Sequence, residues 1–380
     1  MNVPLRTFAN LRAGGPIHQR EDRGDWFVVD HAAVLAFLHD ERLGFEPIAS
    51  RPADDVVLEG NGRPGWLLHL SGSIEARELQ CLPRDEHGRQ RKILAPEFRA
   101  TVAARTPAME ALVDAFVGPL AGTFDVVSEL AAPLPVCIIG DLLGLPVDAP
   151  SRLDHLLLAR ADALDLDPTP PTLARGRLAY VGLMDHCLPH VRKPWPGRLL
   201  DRLHGRLGIA DRLSDALLLL LAGTATMRGF IGHAIAQAAP VWPALRADPT
   251  YVNPFLEEVL RYHGIVSSTY RRALEDIPID SERTIRPGES VNLVLAAANR
   301  DPAVFDCPDQ FHPHRPAGRH LAFGHGNRFC LGAALARWMV RLVLDRLVHK
   351  FSHLEVVESR VRSTNFVFQS LDRLVVRSTP

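Results

Sequence analysis

The most constraining feature of this sequence is a short segment near its C-terminal end, which reads FGHGNRFCLG from Phe323 to Gly332. A single cysteine, Cys330, stands directly before a predicted helix, in a loop with two glycines and a third just beyond. Backbone amides at a helix N-terminus favour a thiolate over a thiol, and glycines let a loop approach a flat ligand closely. Arg328 is a candidate partner for an anionic group of such a ligand. On spacing alone, a ligand thiolate and a buried structural cysteine that caps the helix stay equally open.

Charge and cysteine usage exclude several function classes. The formal net charge is −1, so bulk electrostatics favour neither nucleic acid nor an anionic membrane surface. The five cysteines are scattered without a CxxC pair, which is typical of a reducing cytoplasm and provides neither a zinc site nor a Cys/His hydrolase. The most apolar stretch, Ala216 to Gly223, is too short to cross a bilayer. We therefore expect a cytoplasmic protein with no membrane segment.

The periodicity of apolar residues predicts a mainly α-helical fold with small β-sheets, as one domain over residues 1–380. No repeat, low-complexity segment or Gly/Ser linker divides the chain. In the first half of the chain, the predicted elements are a strand and a helix from Trp26, helical spacing from Thr101 to about Leu145 broken by Pro133 and Pro135, and a proline-rich loop from Asp165 to Pro171. The second half is predicted to contain a long apolar helix from Ile209 to Gln237, a helix after Pro254, and alternation from Ile277 to Val294 with a turn at Pro287-Gly288. A final helix runs from about Leu331 to His349 and is followed by short strands.

The cysteine segment resembles the haem-binding pattern of the cytochrome P450 family, F-G-x-G-x-R-x-C-x-G, at every fixed position. The resemblance implies the fold of that family, with haem b between the long central helix and the cysteine loop. It implies that Cys330 is the axial thiolate ligand of the iron and that Arg328 meets a haem propionate. Thiolate ligation favours O–O cleavage. Phe323, Gly324 and Gly332 are the other cofactor-binding positions of the pattern.

Glu258 and Arg261 stand three positions apart on a predicted helix and so share one helix face. An exposed pair of this kind contributes little by itself. In order and spacing, however, it resembles the ExxR element of the family, and Arg315 occupies the place of its partner in the later irregular region. The resemblance implies a buried charged network that holds the cysteine loop.

Further basic residues resemble the family's contacts to the haem propionates. His87 and Arg91 match an H-x-x-x-R stretch at a helix start, although a basic helix start is otherwise typical of a solvated face. Arg271 matches a propionate-binding arginine at the start of a strand, with Arg272 as the competing choice.

The long apolar helix departs from the family pattern, which reads A-G-x-[D/E]-T-T. In that pattern the glycine opens the helix over the iron, the acid relays protons, and the next threonine hydrogen-bonds the bound dioxygen. This chain retains Ala222, Gly223 and Thr226, but Ala225 replaces the acid and Met227 replaces the second threonine.

Because Ala225 cannot relay a proton, we expect atypical turnover. Three accounts stay open: water or a group of the substrate supplies the proton; the enzyme uses peroxide or stops at an earlier iron–oxygen intermediate; or the outcome is desaturation, ring coupling or oxidative decarboxylation. An acid restored at Ala225 should change the coupling of reductant to product. Arg228 is a candidate anchor for a substrate carboxylate, the alternatives being that it points outward or pairs with an acid elsewhere.

The resemblance implies a small-molecule pocket of mainly apolar character. We expect its substrate to be a peptide- or polyketide-derived natural-product intermediate, oxidised with dioxygen and with electrons from a separate ferredoxin and reductase. A carrier protein that presents the substrate is a further candidate partner, and a haem-binding sensor or recruitment protein is the competing function. The predicted pocket residues are Trp66, Leu67, Leu221, Ala222, Val266, Phe366 and Phe368.

Overall fold

The computed structural model describes residues 10–20, 24–45, 65–316 and 318–380. Its architecture is mainly helical with small sheets, so the predicted fold class is confirmed. The chain divides into two compact units. The sheet unit consists of the described residues up to 45, residues 121–124 and residues 229–380, and the helical unit consists of the described residues between 46 and 120 and residues 125–228. That the chain forms a single domain stays a prediction.

The helices of the described residues include α1 (His31–His39), α2 (Gly65–Glu75), α3 (Arg84–Val117), α4 (Pro133–Leu143), α5 (Pro150–Asp162), α6 (Pro170–Arg192), α7 (Leu199–Arg202), α8 (Ile209–Ala238), α9 (Trp242–Ala247), α10 (Val252–His263), α11 (Leu295–Ala298) and α12 (Ala333–Lys350). Short 3₁₀ turns cover Ala239–Val241, Pro249–Tyr251 and Gly326–Arg328, and a π-helical turn covers Val127–Ala131.

The strands are β1 (Ile17–Gln19), β2 (Trp26–Val28), β3 (Leu43–Gly44), β4 (Thr123–Asp125), β5 (Thr269–Ala273), β6 (Ile277–Pro278), β7 (Thr284–Ile285), β8 (Ser290–Leu293), β9 (His353–Val361) and β10 (Leu371–Thr379). They form a five-stranded sheet in the order β1-β2-β8-β5-β3, a three-stranded sheet in the order β4-β10-β9, and the pair β6-β7. In the larger sheet β2 and β8 run parallel, and the other pairs are antiparallel.

The predicted strand and helix near the N-terminal end are confirmed. Trp26 and Val28 are buried on β2 and pack with Val291 and Leu293 of β8 in the core beside the sheet. Helix α1 follows because the Asp30 side chain accepts a hydrogen bond from the Ala33 amide at 2.6 Å, which caps the helix. This core holds β5 in place, and β5 carries Arg271.

Two expected boundaries are wrong. Helix α3 begins at Arg84 and not near Thr101, with Asp85 and Glu86 in its first turn, where acidic side chains favour a helix start. Pro133 does not interrupt a helix but begins α4, since proline is well tolerated in the first turn of a helix. The residues before it form β4 and the π-helical turn instead. The earlier start of α3 brings His87 into its first turn.

The predicted apolar helix is confirmed as α8, which runs from Ile209 to Ala238. By length and composition, the helical stretch from Ile209 to Ala247 could cross a membrane, yet 72% of its most apolar window is buried inside the protein. That burial is typical of a core helix. Residues 209–228 of α8 belong to the helical unit, and residues from 229 onward belong to the sheet unit.

Two histidines of the sheet unit are buried against one another. The rings of His233 and His263 stack with their centroids 4.1 Å apart, and Gln237 contacts Nε2 of His263 at 3.1 Å. Burial lowers the pKa of His233 to about 4 and also lowers the pKa of His263, which the charges of His233 and Arg300 depress further. Both imidazoles are therefore neutral in the folded protein.

This pair predicts a loss of stability in mild acid. Below the ordinary histidine pKa the unfolded chain binds protons that the folded protein does not, so the free energy of unfolding falls as pH drops from about 6.5 towards 4. For His233 alone the full effect is about 3 kcal/mol. His233→Phe keeps a stacked ring without a titrating group, and it should make the thermal midpoint less dependent on pH between about 7.5 and about 5. An unchanged pH dependence would contradict this origin of acid sensitivity.

Candidate functional site

The cysteine segment forms an irregular loop ahead of α12. The Cys330 amide donates to the Phe323 carbonyl at 3.0 Å, which closes the loop. Gly324 and Gly326 have φ angles of 67° and 71°, a region that residues with a side chain rarely occupy. Cys330 is exposed, and α12 begins at Ala333 rather than directly after the cysteine. An exposed cysteine argues against the alternative of a buried structural residue.

Two arginines come together near this loop. The guanidinium of Arg271 lies 3.9 Å from the ring centroid of Phe45, and that of Arg328 lies 5.2 Å from the same centroid. Arg271 is buried and donates to the Thr269 hydroxyl and the Tyr270 carbonyl, each at 2.8 Å. Burial lowers the pKa of Arg271 to about 9, and the positive charge of Arg328 adds to the effect. Paired cations of this kind suit an anionic ligand group.

The competing arginine has a different environment. Arg272 is half-buried and donates to the Gly288 carbonyl, next to the turn at the start of β8. Successive residues of a strand point to opposite faces, so Arg271 and Arg272 cannot both face the cysteine loop. The geometry therefore favours Arg271 as the anion contact.

The Glu258 carboxylate is the centre of a buried charged network. Arg261 donates to both of its oxygens at 2.7 Å, and Arg315 donates to Oε2 at 3.1 Å. Arg261 also donates to the carbonyls of Asn299 and Pro308, each at 2.9 Å. The side chains of Glu258 and Arg261 are 1% and 2% exposed. The three residues thus meet as predicted, and the network ties α10 to the irregular chain that precedes the cysteine loop.

A second ion cluster, centred on Glu257, lies next to this network and was not predicted from the sequence. Glu257 accepts hydrogen bonds from Arg337 at 2.6 and 2.8 Å and contacts His320 at 2.8 Å. Although burial opposes ionisation, the contacts with Arg337 and His320 lower the pKa of Glu257 to about 2. The guanidinium of Arg337 lies 4.4 Å from the ring centroid of Phe323. The cluster therefore connects α10, α12 and the loop around Cys330.

The middle of α8 has one partly open face. Ala222 is exposed and Gly223 and Thr226 are half-buried, whereas Ala225 is buried. The Thr226 hydroxyl donates to the Ala222 carbonyl at 2.7 Å. A Cβ at Gly223 would approach Ile139 of α4 to 2.7 Å, so this glycine also permits the packing of α8 on α4.

Arg228 pairs with an acid, which was one of the alternatives left open by the sequence. Its Nη1 donates to Oδ2 of Asp154 on α5 at 2.8 Å, with side-chain exposures of 10% and 13%. The side chain therefore does not point outward, and its charge is already compensated.

His87 and Arg91 lie one turn apart on α3 and share a face. His87 is buried and Arg91 is half-buried. Their predicted contact with haem propionates stays a prediction.

Three of the predicted pocket residues meet in the sheet unit. Val266 and Phe368 form an isolated antiparallel bridge, and the Phe366 carbonyl accepts from the Ser267 hydroxyl. Leu221 is buried on α8. The side chains of Trp66 and Leu67 lie outside the described part of the structure.

The helical unit also contains buried charges that the sequence did not predict. Arg160 pairs with Glu75 at 2.5 Å, and the Tyr180 hydroxyl donates to Glu78 at 2.9 Å. Burial raises the pKa of Glu78 to about 7. Burial likewise raises the pKa of Asp215 to about 7, although Gln90 donates to it at 2.8 Å. Among the described residues, no group of three or more His, Cys, Asp or Glu side chains could bind a metal ion.

Comparison with known proteins places the chain in a family. The sequence pattern of the cytochrome P450 family matches residues 231–372. The cytochrome P450 monooxygenase PikC of Streptomyces venezuelae is 33% identical over 367 residues, which cover 91% of this chain and 83% of PikC. The cyclomarin C epoxidase CymV of Salinispora arenicola is 32% identical over 75% of this chain and 76% of its own length.

The solved structure of P450BioI in complex with acyl carrier protein ligated to hexadec-9Z-enoic acid is also similar. It superimposes with a TM-score of 0.86 at 26% identity, over 99% of this chain and 98% of that chain. The chain therefore belongs to the cytochrome P450 family and is a haem-thiolate oxidoreductase that oxidises an organic substrate. The cofactor of the family is haem with a cysteine thiolate as its axial ligand.

The residues of the sheet unit fit this cofactor. Cys330 is the exposed cysteine in the glycine-shaped loop, and a Cβ at Gly332 would lie at an ordinary contact distance of 4.0 Å from the Cys330 sulfur. Arg271 and Arg328 provide two positive charges for anionic propionates. A buried arginine with a lowered pKa is stabilised by an anion that restores its ordinary value.

We therefore expect Arg271→Leu to weaken haem retention. A hydrogen bond to a charged group contributes about 1.5–3 kcal/mol, which is about 10- to 100-fold in affinity. The rate of haem transfer to an excess of apomyoglobin measures the change. Arg272→Leu is the matched control and should transfer haem at the wild-type rate. Equal rates for the two variants would contradict the assignment of Arg271.

Proposed function

We propose that Cys330 ligates the haem iron and that the protein oxidises a peptide- or polyketide-derived natural-product intermediate. In this proposal the oxidant is dioxygen, and a separate ferredoxin and reductase deliver the electrons in the cytoplasm. The observation that carries the proposal is the exposed Cys330 in a loop closed by Phe323 and shaped by glycines, beside paired arginines. Relatives that act in natural-product chemistry support the substrate class, since CymV is a cyclomarin C epoxidase.

The chain's own residues then have distinct tasks. When bound, haem with a thiolate ligand supplies oxidising chemistry that favours O–O cleavage. Arg271 and Arg328 bind its propionates, with His87 and Arg91 as further contacts. The Glu258 network keeps the cysteine loop in one conformation, because separating its charges in a buried site is costly.

Residues of α8 orient the substrate and the proton donor. Ala222 and Gly223 leave room on the open face, and the Thr226 hydroxyl can hold a water there, because an oxygen that donates to Ala222 still accepts hydrogen bonds. In the sheet unit, the apolar side chains of Val266 and Phe368 exclude bulk water from the substrate.

The absence of an acid at position 225 favours an atypical outcome. A positioned proton donor contributes about two to four decades in rate, and Ala225 offers none. The outcome proposed is therefore not ordinary hydroxylation but desaturation, ring coupling or oxidative decarboxylation, with water or a group of the substrate as the source of the proton. The same observation supports peroxide as a second candidate oxidant, because peroxide brings its own protons. A non-catalytic sensor is disfavoured by the presence of both Cys330 and Thr226.

Presentation of the substrate by a carrier protein extends the proposal. The similar P450BioI structure contains an acyl carrier protein with its fatty-acyl group. If the substrate is presented by a carrier protein, free intermediates are not expected to bind, and the carrier-bound form is expected to bind.

Titration of the ferric holoenzyme with peptide, polyketide and terpenoid intermediates tests the substrate class. A ligand that displaces iron-bound water shifts the Soret band, so we expect a saturable shift with peptides or polyketides, free or attached to a carrier protein. A saturable shift with terpenoids alone would contradict the proposed class. Reaction with hydrogen peroxide in place of the redox partners separates the two oxidants.

A further inference from the structure

Two histidines from distant parts of the sequence meet at the surface of the sheet unit. His39 is the last residue of α1, and His325 lies in the cysteine loop. Nε2 of His39 and Nδ1 of His325 are 2.7 Å apart, which is a hydrogen-bond distance. The ring centroids are 4.9 Å apart, and both residues are exposed. The two ring nitrogens therefore converge at a place that dissolved ions can reach.

The loop approaches α1 this closely because position 326 is a glycine. Gly326 has a φ angle of 71°, and a Cβ there would come within 2.8 Å of the His39 ring. A side chain at position 326 would therefore displace the imidazole of His39. The backbone of the loop thus permits the meeting of the two rings.

Converging imidazole nitrogens are ligands that Ni²⁺, Cu²⁺ and Zn²⁺ accept readily. Two nitrogens at about 2.1 Å from one ion lie about 3.0 Å apart at a ligand angle of 90° and about 3.4 Å apart in tetrahedral coordination. The two histidine nitrogens, at 2.7 Å, need to separate by about 0.3 Å for the first geometry and about 0.7 Å for the second. The pair therefore suits right-angled coordination, which is typical of Ni²⁺ and Cu²⁺.

The charges of the surrounding backbone also suit a cation. The last turn of a helix carries a partial negative charge from its free carbonyl groups, and His39 stands in the last turn of the nine-residue helix α1. Both nitrogens must offer a lone pair to an ion, whereas one of them carries a proton in the hydrogen bond that joins the rings. A neutral imidazole can carry its proton on either ring nitrogen, so a change of tautomer frees both lone pairs and the pair loses no proton.

We propose that His39 and His325 form a binding site for a divalent transition-metal ion of the Ni²⁺ and Cu²⁺ class. The ion joins the C-terminal end of α1 to the loop that carries Cys330. Because the described residues contain no group of three or more candidate ligands, water molecules complete the coordination. The inference does not depend on the substrate or on the oxidant of the proposed function.

Two other pairs of histidines are less suitable. His233 is buried against His263, which keeps it away from dissolved ions. The ring centroids of His186 and His190 on α6 are 6.3 Å apart. Two imidazoles on one ion have centroids at most about 6.4 Å apart, and they reach that separation only on opposite sides of the ion. His186 and His190 would therefore have to move to chelate an ion, whereas the nitrogens of His39 and His325 already converge.

Calorimetric titration of the untagged holoenzyme with NiCl₂ at neutral pH tests the site. We expect His39→Ala and His325→Ala each to weaken the affinity for Ni²⁺ at least about tenfold, because even the loss of a group that only supports a metal ligand costs about 10- to 100-fold. Wild-type affinity, within about twofold, in either variant would overturn the inference.

A control variant and a control ion separate this site from general binding of cations. His186→Ala removes a histidine of the pair on α6 and should bind Ni²⁺ as wild type does. Mg²⁺ prefers oxygen ligands and should not bind at the same concentration. Loss of Ni²⁺ binding in His186→Ala, or equal binding of Mg²⁺ and Ni²⁺ by wild type, would overturn the inference.

Thermal unfolding gives a second readout that needs no turnover. An ion that binds the folded protein raises the thermal midpoint as its concentration rises. NiCl₂ should therefore raise the midpoint of wild type and of His186→Ala, but not that of His39→Ala or His325→Ala. Melting without metal checks that the variants are folded, which we expect because both substitutions replace exposed side chains. The same rise with NiCl₂ in all four proteins would contradict a site at His39 and His325.

Discussion

Replacement of Cys330 by serine is expected to abolish turnover and to remove the thiolate signature, the red-shifted Soret band of the reduced carbon monoxide complex. A serine hydroxyl is a poor ligand for iron and does not donate electron density as a thiolate does. The loop should persist, because the hydrogen bond between the amide of residue 330 and the Phe323 carbonyl does not involve the side chain. Absorption spectra and NADPH consumption measure the two effects.

Cys307 is the matched control for this prediction. It is also an exposed cysteine of the sheet unit, and its carbonyl, not its thiol, accepts from Gln310 and Arg315. Cys307→Ser should therefore keep the wild-type spectrum and rate. A normal carbon monoxide spectrum in Cys330→Ser would exclude Cys330 as the ligand.

Glu258→Gln is expected to have the largest effect on stability. The substitution preserves size but leaves the charges of Arg261 and Arg315 without their carboxylate in a site where the side chains are 2% and 11% exposed. Breaking a buried ion pair costs about 3–5 kcal/mol, which is a large part of a typical total of about 5–15 kcal/mol. We expect a protein that loses haem and unfolds at much lower urea concentration.

Glu358→Gln is the control for the loss of an ion pair as such. Glu358 pairs with Arg373 at 3.0 Å, and both side chains are 49% exposed. Exposed pairs contribute at most about 1 kcal/mol, so this variant should unfold almost like wild type. A Glu258→Gln holoenzyme with the same urea midpoint as Glu358→Gln would show that the network does not stabilise the fold.

The two variants address different levels of the site. Cys330 concerns the chemistry of one ligand atom, whereas Glu258 concerns the chain that carries the ligand. We expect Cys330→Ser to stay folded and Glu258→Gln to lose the cofactor. These two results would show that Cys330 provides the ligand atom and that the Glu258 network stabilises the loop that carries it. The cluster of Glu257, His320 and Arg337 should share the supporting role, because it joins α10 and α12 to the chain around the cysteine loop.

Much of the site could be predicted because its signals are local. Positive φ angles at Gly324 and Gly326 follow from glycine in a tight loop, and the pair of Glu258 and Arg261 follows from helical spacing. The resemblance to the cytochrome P450 family identified the meeting of Glu258 with Arg315, which lies far along the chain. The length of α8 followed from its continuous apolar pattern.

Element boundaries were less predictable where proline has two roles. A proline in the interior of a helix kinks or breaks it, whereas a proline in the first turn is well tolerated and often begins one. Pro133 begins α4, whereas Pro96 and Pro107 lie within α3. The periodicity of apolar residues does not distinguish a proline inside a helix from one in the first turn. Proline has no backbone N–H, so the outcome depends on which backbone carbonyls of the preceding chain can be left without that donor.

The sequence by itself thus determined the family, the cofactor and the cysteine loop, since these depend on short segments whose geometry is set by neighbouring residues. Only the tertiary structure decided which distant charges meet. Asp154 with Arg228, Glu78 with Tyr180, and the stacked histidines are brought together by helix packing, and no spacing in the sequence encodes such contacts. Burial then raises the pKa of Glu78 and lowers the pKa of His233 and His263, because the cost of a charge depends on the water that packing removes.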